Sequence, residues 1–180
     1  GTVYTWGDNT YGQLGDGTNT SSNIPVAVKT AGTPMEGKQI VQVSNSGGAH
    51  MLALASDGTV YAWGGNGDGR FGNGTTNNSN VPIAVKTTGT PMDGKTITQI
   101  AAGGGHSLAL ASDGTAYGWG LDGNYQIGSP GAVDKSIPNE VTIPAGKAIV
   151  QIAAGFLHSL VLASDGTIYS FGGNNYGQLG

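Results

Sequence analysis

Apolar and polar positions alternate with a period of two through most of the chain. In His106–Ala111, Leu108 and Leu110 fall on one face and Ser107 and Ala109 on the other, as in a β-strand. Tyr61 and Trp63 share a face in the same way, with Val60 and Ala62 opposite. No stretch shows the 3.6-residue period of an amphipathic helix, so the chain is expected to be all-β. One unit reads as four short strands: Ile97 to Ala102, His106 to Ala111, Thr115 to Trp119 and Ile137 to Thr142. Between the second and third, Asp113-Gly114 predicts a two-residue hairpin turn with positive φ at both positions. Tight hairpins require antiparallel pairing.

This unit is repeated. Gly1-Thr2-Val3-Tyr4-Thr5-Trp6-Gly7 returns from Gly58 to Gly64, from Gly114 to Gly120 and from Gly166 to Gly172, at offsets of 57, 56 and 52. His50, His106 and His158 keep step with it, as do Ser56, Ser112 and Ser164 in Ser-Asp-Gly-Thr. The 180 residues form a single repeat domain of three full periods and a fraction, with repeats starting near Gly1, Gly58, Gly114 and Gly166 and the last incomplete. The last period is short because ten residues separate Val28 from Lys38 and Val85 from Lys95, but six separate Val141 from Lys147. A segment that tolerates such trimming is expected to be a surface loop. Val43 and His50 are seven apart where the later copies have six, which predicts one inserted residue in a β-bulge.

Each Tyr-x-Trp strand has one bulky and one slim face, a shape suited to stacking sheets large into small. Ala101-Ala102-Gly103-Gly104-Gly105 is small throughout, as several converging sheets require. These features predict four-stranded antiparallel blades around an axis, a β-propeller.

The pattern A-A-G-x-x-H-S-L-x-L-x-S-D-G-T-x-Y-x-W-G-x-N-x-x-G-Q-L-G resembles the regulator of chromosome condensation repeat, over the whole chain. The resemblance implies a propeller, usually of seven blades. Three and a third periods cannot close such a ring, so the chain is expected to be a partial propeller. It is then a fragment, or a unit that associates with further repeats or with itself. Among the family's activities are guanine-nucleotide exchange on a small GTPase and docking on chromatin. The Gly-Trp-Arg-His-Thr motifs of the plant ultraviolet-B photoreceptor do not occur here.

Composition narrows the picture. Charged residues are 10% and the net charge is −4, with no basic run to bind nucleic acid. No apolar run reaches the length of a membrane span. Cysteine is absent, which removes disulfides and thiolate metal sites. Low charge with abundant Thr, Asn, Ser and Gly suits an extracellular or cell-surface protein, of bacterial-like surface type, with a cytoplasmic one as the alternative.

Most candidate sites dissolve into the repeat. Gly67-Asp68-Gly69-Arg70-Phe71-Gly72 matches G-x-G-x-x-G but precedes a loop and a strand, not the helix a pyrophosphate site needs. It also lacks the spacing of a calcium loop. The three histidines lie in separate repeats and are expected to bond backbone within their own blades. Ser107 and Ser159 follow two of them on the opposite strand face, which argues against a nucleophile. Asp57, Asp113 and Asp165 sit in turns, where aspartate bonds local backbone. Trp6, Trp63, Trp119 and Phe171 are expected core positions. No catalytic group, metal site or cofactor is expected.

Residues that break the repeat carry the remaining signal. Asp68, Arg70 and Tyr125 stand in loops where other copies have different residues, and Asp122 replaces Asn9, Asn66 and Asn174. The expected function is non-catalytic: a binding or scaffolding module that presents variable loops to a protein or glycan partner. Alternatives are a structural spacer or assembly domain of a larger surface protein, and a GTPase exchange regulator.

Overall fold

The fold is described from a computed structural model, which covers residues 1–45 and 47–180. Thirteen strands form four antiparallel sheets, and no helix occurs among the described residues. The first sheet pairs β1 (Tyr4–Gly7) with β2 (Ser22–Ala27). Two full blades follow. One contains β3 (Ile40–Ser44), β4 (His50–Ala55), β5 (Val60–Gly64) and β6 (Ser79–Ala84). The next contains β7 (Ile97–Ala102), β8 (His106–Ala111), β9 (Ala116–Gly120) and β10 (Lys135–Glu140). The last has three strands, β11 (Ile149–Ala154), β12 (His158–Ala163) and β13 (Ile168–Gly172). In each full blade the strands lie in chain order, a four-stranded meander. The partial propeller predicted from the repeat is the fold observed.

The blades stack because bulky faces meet slim ones. Trp63, Tyr61, Trp119 and Tyr117 are fully buried. Phe71 and Trp119 share a cluster with Leu52, Ala62 and Ala109 from the neighbouring strands. Backbones come close at the small residues: a Cβ on Gly48 would lie 2.6 Å from the Gly104 oxygen. Polar side chains also stitch the inner strands together. Gln42 Nε2 donates to the Ile100 carbonyl at 2.9 Å, and the Ile100 amide donates back to Gln42 Oε1 at 3.0 Å. Gln99 bridges in a related way one blade on, with Nε2 donating to the Val150 carbonyl at 3.2 Å and Oε1 accepting the Ile152 amide at 3.4 Å.

Three details differ from expectation. At Asp113-Gly114 only the glycine has positive φ, +84°. The Gly114 amide donates to the Ala111 carbonyl at 3.0 Å and the Ala111 amide to the Thr115 carbonyl at 2.9 Å. This is a type I turn closed by a left-handed glycine, the three-residue hairpin. It leaves aspartate in ordinary backbone, free to accept the Thr115 amide at 3.0 Å. The extra residue of the first copy is not a bulge. The register shift in β3 recurs in β7 and β11, which lack the insertion. The insertion is taken up between β3 and β4, where Ser46 lies outside the described residues. The trimmed segment is a surface loop, but Met35 and Met92 within it are fully buried. In the short copy Ile143 packs partly buried against the core instead.

Candidate functional site

The meander gives each blade two unlike ends. Turns between second and third strands, and loops between blades, emerge on one face, here called lower. Loops between first and second strands, and between third and fourth, emerge on the upper face. The lower face repeats one ion pair, although its inter-blade loop is four residues shorter in the last copy. Lys38 pairs with Asp57 at 2.7 Å, Lys95 with Asp113 at 2.6 Å and Lys147 with Asp165 at 2.6 Å. In each pair the lysine hydrogen bond is the main cause holding the aspartate below its usual carboxylate range. These aspartates are turn and ion-pair residues in three successive blades, as a structural role requires.

The upper face is not uniform. Its long loops share one frame: the Asn9 or Asn66 side chain accepts an amide five residues on, at 2.9 and 2.8 Å. On that frame stand exposed aromatic residues, Tyr11 and Tyr176 at one repeat position and Tyr125 at the next. Phe156 is exposed on a short loop.

Asp68 and Arg70 are brought together. Arg70 Nε donates to Asp68 Oδ2 at 2.9 Å, and both side chains are about a quarter exposed. In the other copies Gln13, Gln126 and Gln178 accept the backbone amide two residues before them. An arginine cannot accept, so it turns to the carboxylate that Asp68 supplies. Tyr125 lies on the next blade's equivalent loop, in the place of Gly12 and Gly69. Among the described residues it is the one non-glycine with positive φ, +63°. Left-handed backbone is costly for a residue with a Cβ. A Cβ at Gly12 or Gly69 would lie 2.6 Å from the Cα of Asn80 or Ser136 on the adjoining outer strand. The sheet beside Tyr125 has three strands and, among the described residues, no outer one, and Tyr125 is 59% exposed.

The histidines do not bond backbone within their own blades. His50 Nε2 meets Ser107 Oγ of the next blade at 2.9 Å, and His106 Nε2 meets Ser159 Oγ at 2.8 Å. Reading each strand singly missed these pairs, because partners on adjacent blades face one another across the seam. Each pair has the reach of a base and a nucleophile, but its proton runs the wrong way. Ser107 donates to the Arg70 carbonyl at 2.8 Å and Ser159 to the Gln126 carbonyl at 2.7 Å. The hydroxyl hydrogen is spent on a carbonyl, so Nε2 carries a hydrogen and donates to Oγ. Burial drives His50 down to about 3 and His106 to about 4. These are neutral seam residues, fully buried. Trp119 Nε1 adds a second donor to the Arg70 carbonyl at 2.8 Å, and Trp63 Nε1 donates to the Gln13 carbonyl at 3.0 Å. Trp63 and Trp119 are therefore core and seam residues. Trp6 is 64% exposed, because β1 and β2 lack the two inner strands that a full blade packs beside them. The cleft there measures about 470 Å³ and is lined by Tyr4, Trp6, Tyr11, Asn45 and Met51.

Among the described residues no three His, Asp or Glu side chains converge to hold a metal, and no helix is long and apolar enough to cross a membrane.

Residues 1–54, 57–110 and 113–162 each match the family model for the regulator of chromosome condensation (RCC1) repeat. The chain is 33% identical to the ultraviolet-B receptor UVR8 of Arabidopsis thaliana, covering 99% of itself and 38% of that protein. It is 35% identical to the E3 ubiquitin-protein ligase HERC2 of Homo sapiens, covering all of itself and 4% of that protein. Among solved structures, human WBSCR16 superposes with a TM-score of 0.86 at 25% identity over the whole chain and 45% of that structure. Prp20p from Saccharomyces cerevisiae, described with its binding properties to Gsp1p and histones, superposes at 0.84 with 28% identity over 99% of this chain and 42% of that one. The chain thus spans less than half of each.

Proposed function

Because the chain belongs to the regulator of chromosome condensation (RCC1) repeat family, we propose that it is a non-catalytic, protein-binding propeller segment whose partner docks on the upper face. The observation that carries this is the contrast between the two ends of the blades. Three blades repeat one lysine–aspartate pair on the lower face, whereas the upper face carries Asp68, Arg70 and Tyr125, which no other copy has at those positions. Residues the fold requires recur in each copy; residues that serve a partner need not. Exposed aromatic side chains with an arginine among them match the composition of binding hot spots. The partner class is protein because Prp20p is described as binding proteins, Gsp1p and histones. Extracellular or surface placement rests on composition alone.

The test places a photo-crosslinking residue at Tyr125 on the upper face or at Thr90 on the lower. Crosslinks to a native partner are expected from Tyr125, and the double substitution Asp68→Ala, Arg70→Ala weakens them. Equal capture from Thr90 would overturn the reading.

A second reading, structural assembly through the blade ends, is favoured by one observation. Val43 is 50% exposed, while its equivalents Ile100 and Ile152 are buried under a neighbouring blade at 3% and 7%. Assembly predicts a concentration-dependent mass in sedimentation. Exchange on a small GTPase predicts faster nucleotide release when the propeller is added.

A further inference from the structure

The long loop after β9, residues 121–134, differs from its counterparts in an ordered way. Asn9 and Asn66 are fully buried and use both ends of their amides. Oδ1 accepts a loop amide, and Nδ2 donates to two carbonyls: Thr18 and Thr20 at 3.1 Å each in one loop, Thr75 at 2.9 Å and Asn77 at 3.1 Å in the other. In the third loop Asp122 takes this place, also fully buried. Its Oδ1 still accepts the Ile127 amide at 2.9 Å, but Oδ2 has no partner. By the same spacing, the carbonyls belong to Gly131 and Val133. An oxygen stands where two neighbouring carbonyls are otherwise met by a donor.

We propose that Asp122 is a proton-sensing residue, which holds loop 121–134 in the closed form of the other repeats while Oδ2 carries a hydrogen and loosens it when that hydrogen is lost. A carboxylic acid is nearly isosteric with the asparagine amide, so the added proton supplies one of the two hydrogens that the amide gives, without moving the chain. The charged groups facing Asp122 are Asp134, whose Oδ1 accepts the Asp122 amide at 2.9 Å, and Lys135 beside it. Burial raises Asp122 above its ordinary value of 3.8; Asp134 adds to the rise, while the Ile127 amide and Lys135 oppose it. Two more buried polar atoms without partners, Gln126 Nε2 and Ser129 Oγ, lie in the same loop, as does the strained Tyr125. Residues 121–128 are well bonded, whereas within the described residues 129–134 only Asp134 takes part in a hydrogen bond, so the missing donor at Oδ2 falls on the weakly held half of the loop.

The sign follows from linkage. An acid raised in the fold keeps its proton longer folded than unfolded, so stability falls as pH climbs from 3.8 to the folded value and then levels off. The inference goes beyond partner binding, and its test uses the protein alone. Amide exchange at Ile127 is compared between the full chain and Asp122→Asn. The ratio of the two rates cancels the intrinsic pH dependence and is expected to rise about tenfold between about pH 4 and about pH 7.5, a change of about 1.4 kcal/mol. The Asp122 carboxyl carbon, followed by NMR, titrates above 3.8. A ratio that stays flat, or a carboxyl that titrates at the ordinary value, overturns the proposal. So does added calcium that slows exchange in the wild type and not in Asp122→Asn, which would make the site a cation site.

Discussion

The seam between blades makes a prediction that separates two serines with the same apparent role. Ser107 and Ser159 each accept a buried imidazole N–H and donate to a carbonyl in the preceding blade. Replacing either by alanine strands a buried N–H, which costs about 1–3 kcal/mol. The carbonyls then fare differently. The Arg70 carbonyl keeps Trp119 Nε1 at 2.8 Å. At Gln126 the residue in the tryptophan position is Phe171, which has no donor, so Ser159→Ala also leaves a carbonyl bare. Ser159→Ala is therefore expected to cost about 1–2 kcal/mol more than Ser107→Ala. Urea unfolding followed by circular dichroism measures both, read as midpoints at a common slope. In a chain of this size the added loss lowers Tm by roughly 2–8 °C. If Ser159→Ala proves equal to or milder than Ser107→Ala, the proton direction assigned to the seam is wrong.

Other predictions follow from the same geometry. His50 and His106 are depressed to about 3 and about 4 from 6.5, so the stability they contribute is whole above 6.5 and lost as pH falls toward those values. Urea midpoints should drop steeply through that window, opposite in sign to the Asp122 effect, and a flat profile would refute the neutral assignment. Tyr125→Gly removes left-handed strain and should stabilise by about 1 kcal/mol while weakening partner binding in a pull-down; a destabilised variant would show that the phenol packs more than it strains. Arg70→Gln restores the amide-capping residue of the other loops, so thermal stability should stay within about 0.5 kcal/mol while partner binding falls.

Much of the fold was legible in the chain itself. Alternation defined strands, the 52-to-57-residue period defined blades, and bulky against slim faces predicted their stacking. These are local properties, set by backbone periodicity and side-chain volume, and they need no knowledge of the neighbours. Asp68, Arg70 and Tyr125 were also visible as departures from the repeat, because the copies act as an internal comparison. The sequence could not show that Arg70 pairs with Asp68 or that Tyr125 holds a glycine's backbone, since both depend on loop geometry.

What only the tertiary structure decided lies at the seams. His50 and Ser107 are 57 residues apart, and no pattern within one strand marks them as partners. The buried methionines of the lower loops and the unpartnered oxygen of Asp122 are decided in the same way. Periodicity along a chain reports which face a side chain takes, whereas hydrogen bonds and burial depend on what the next blade places against that face.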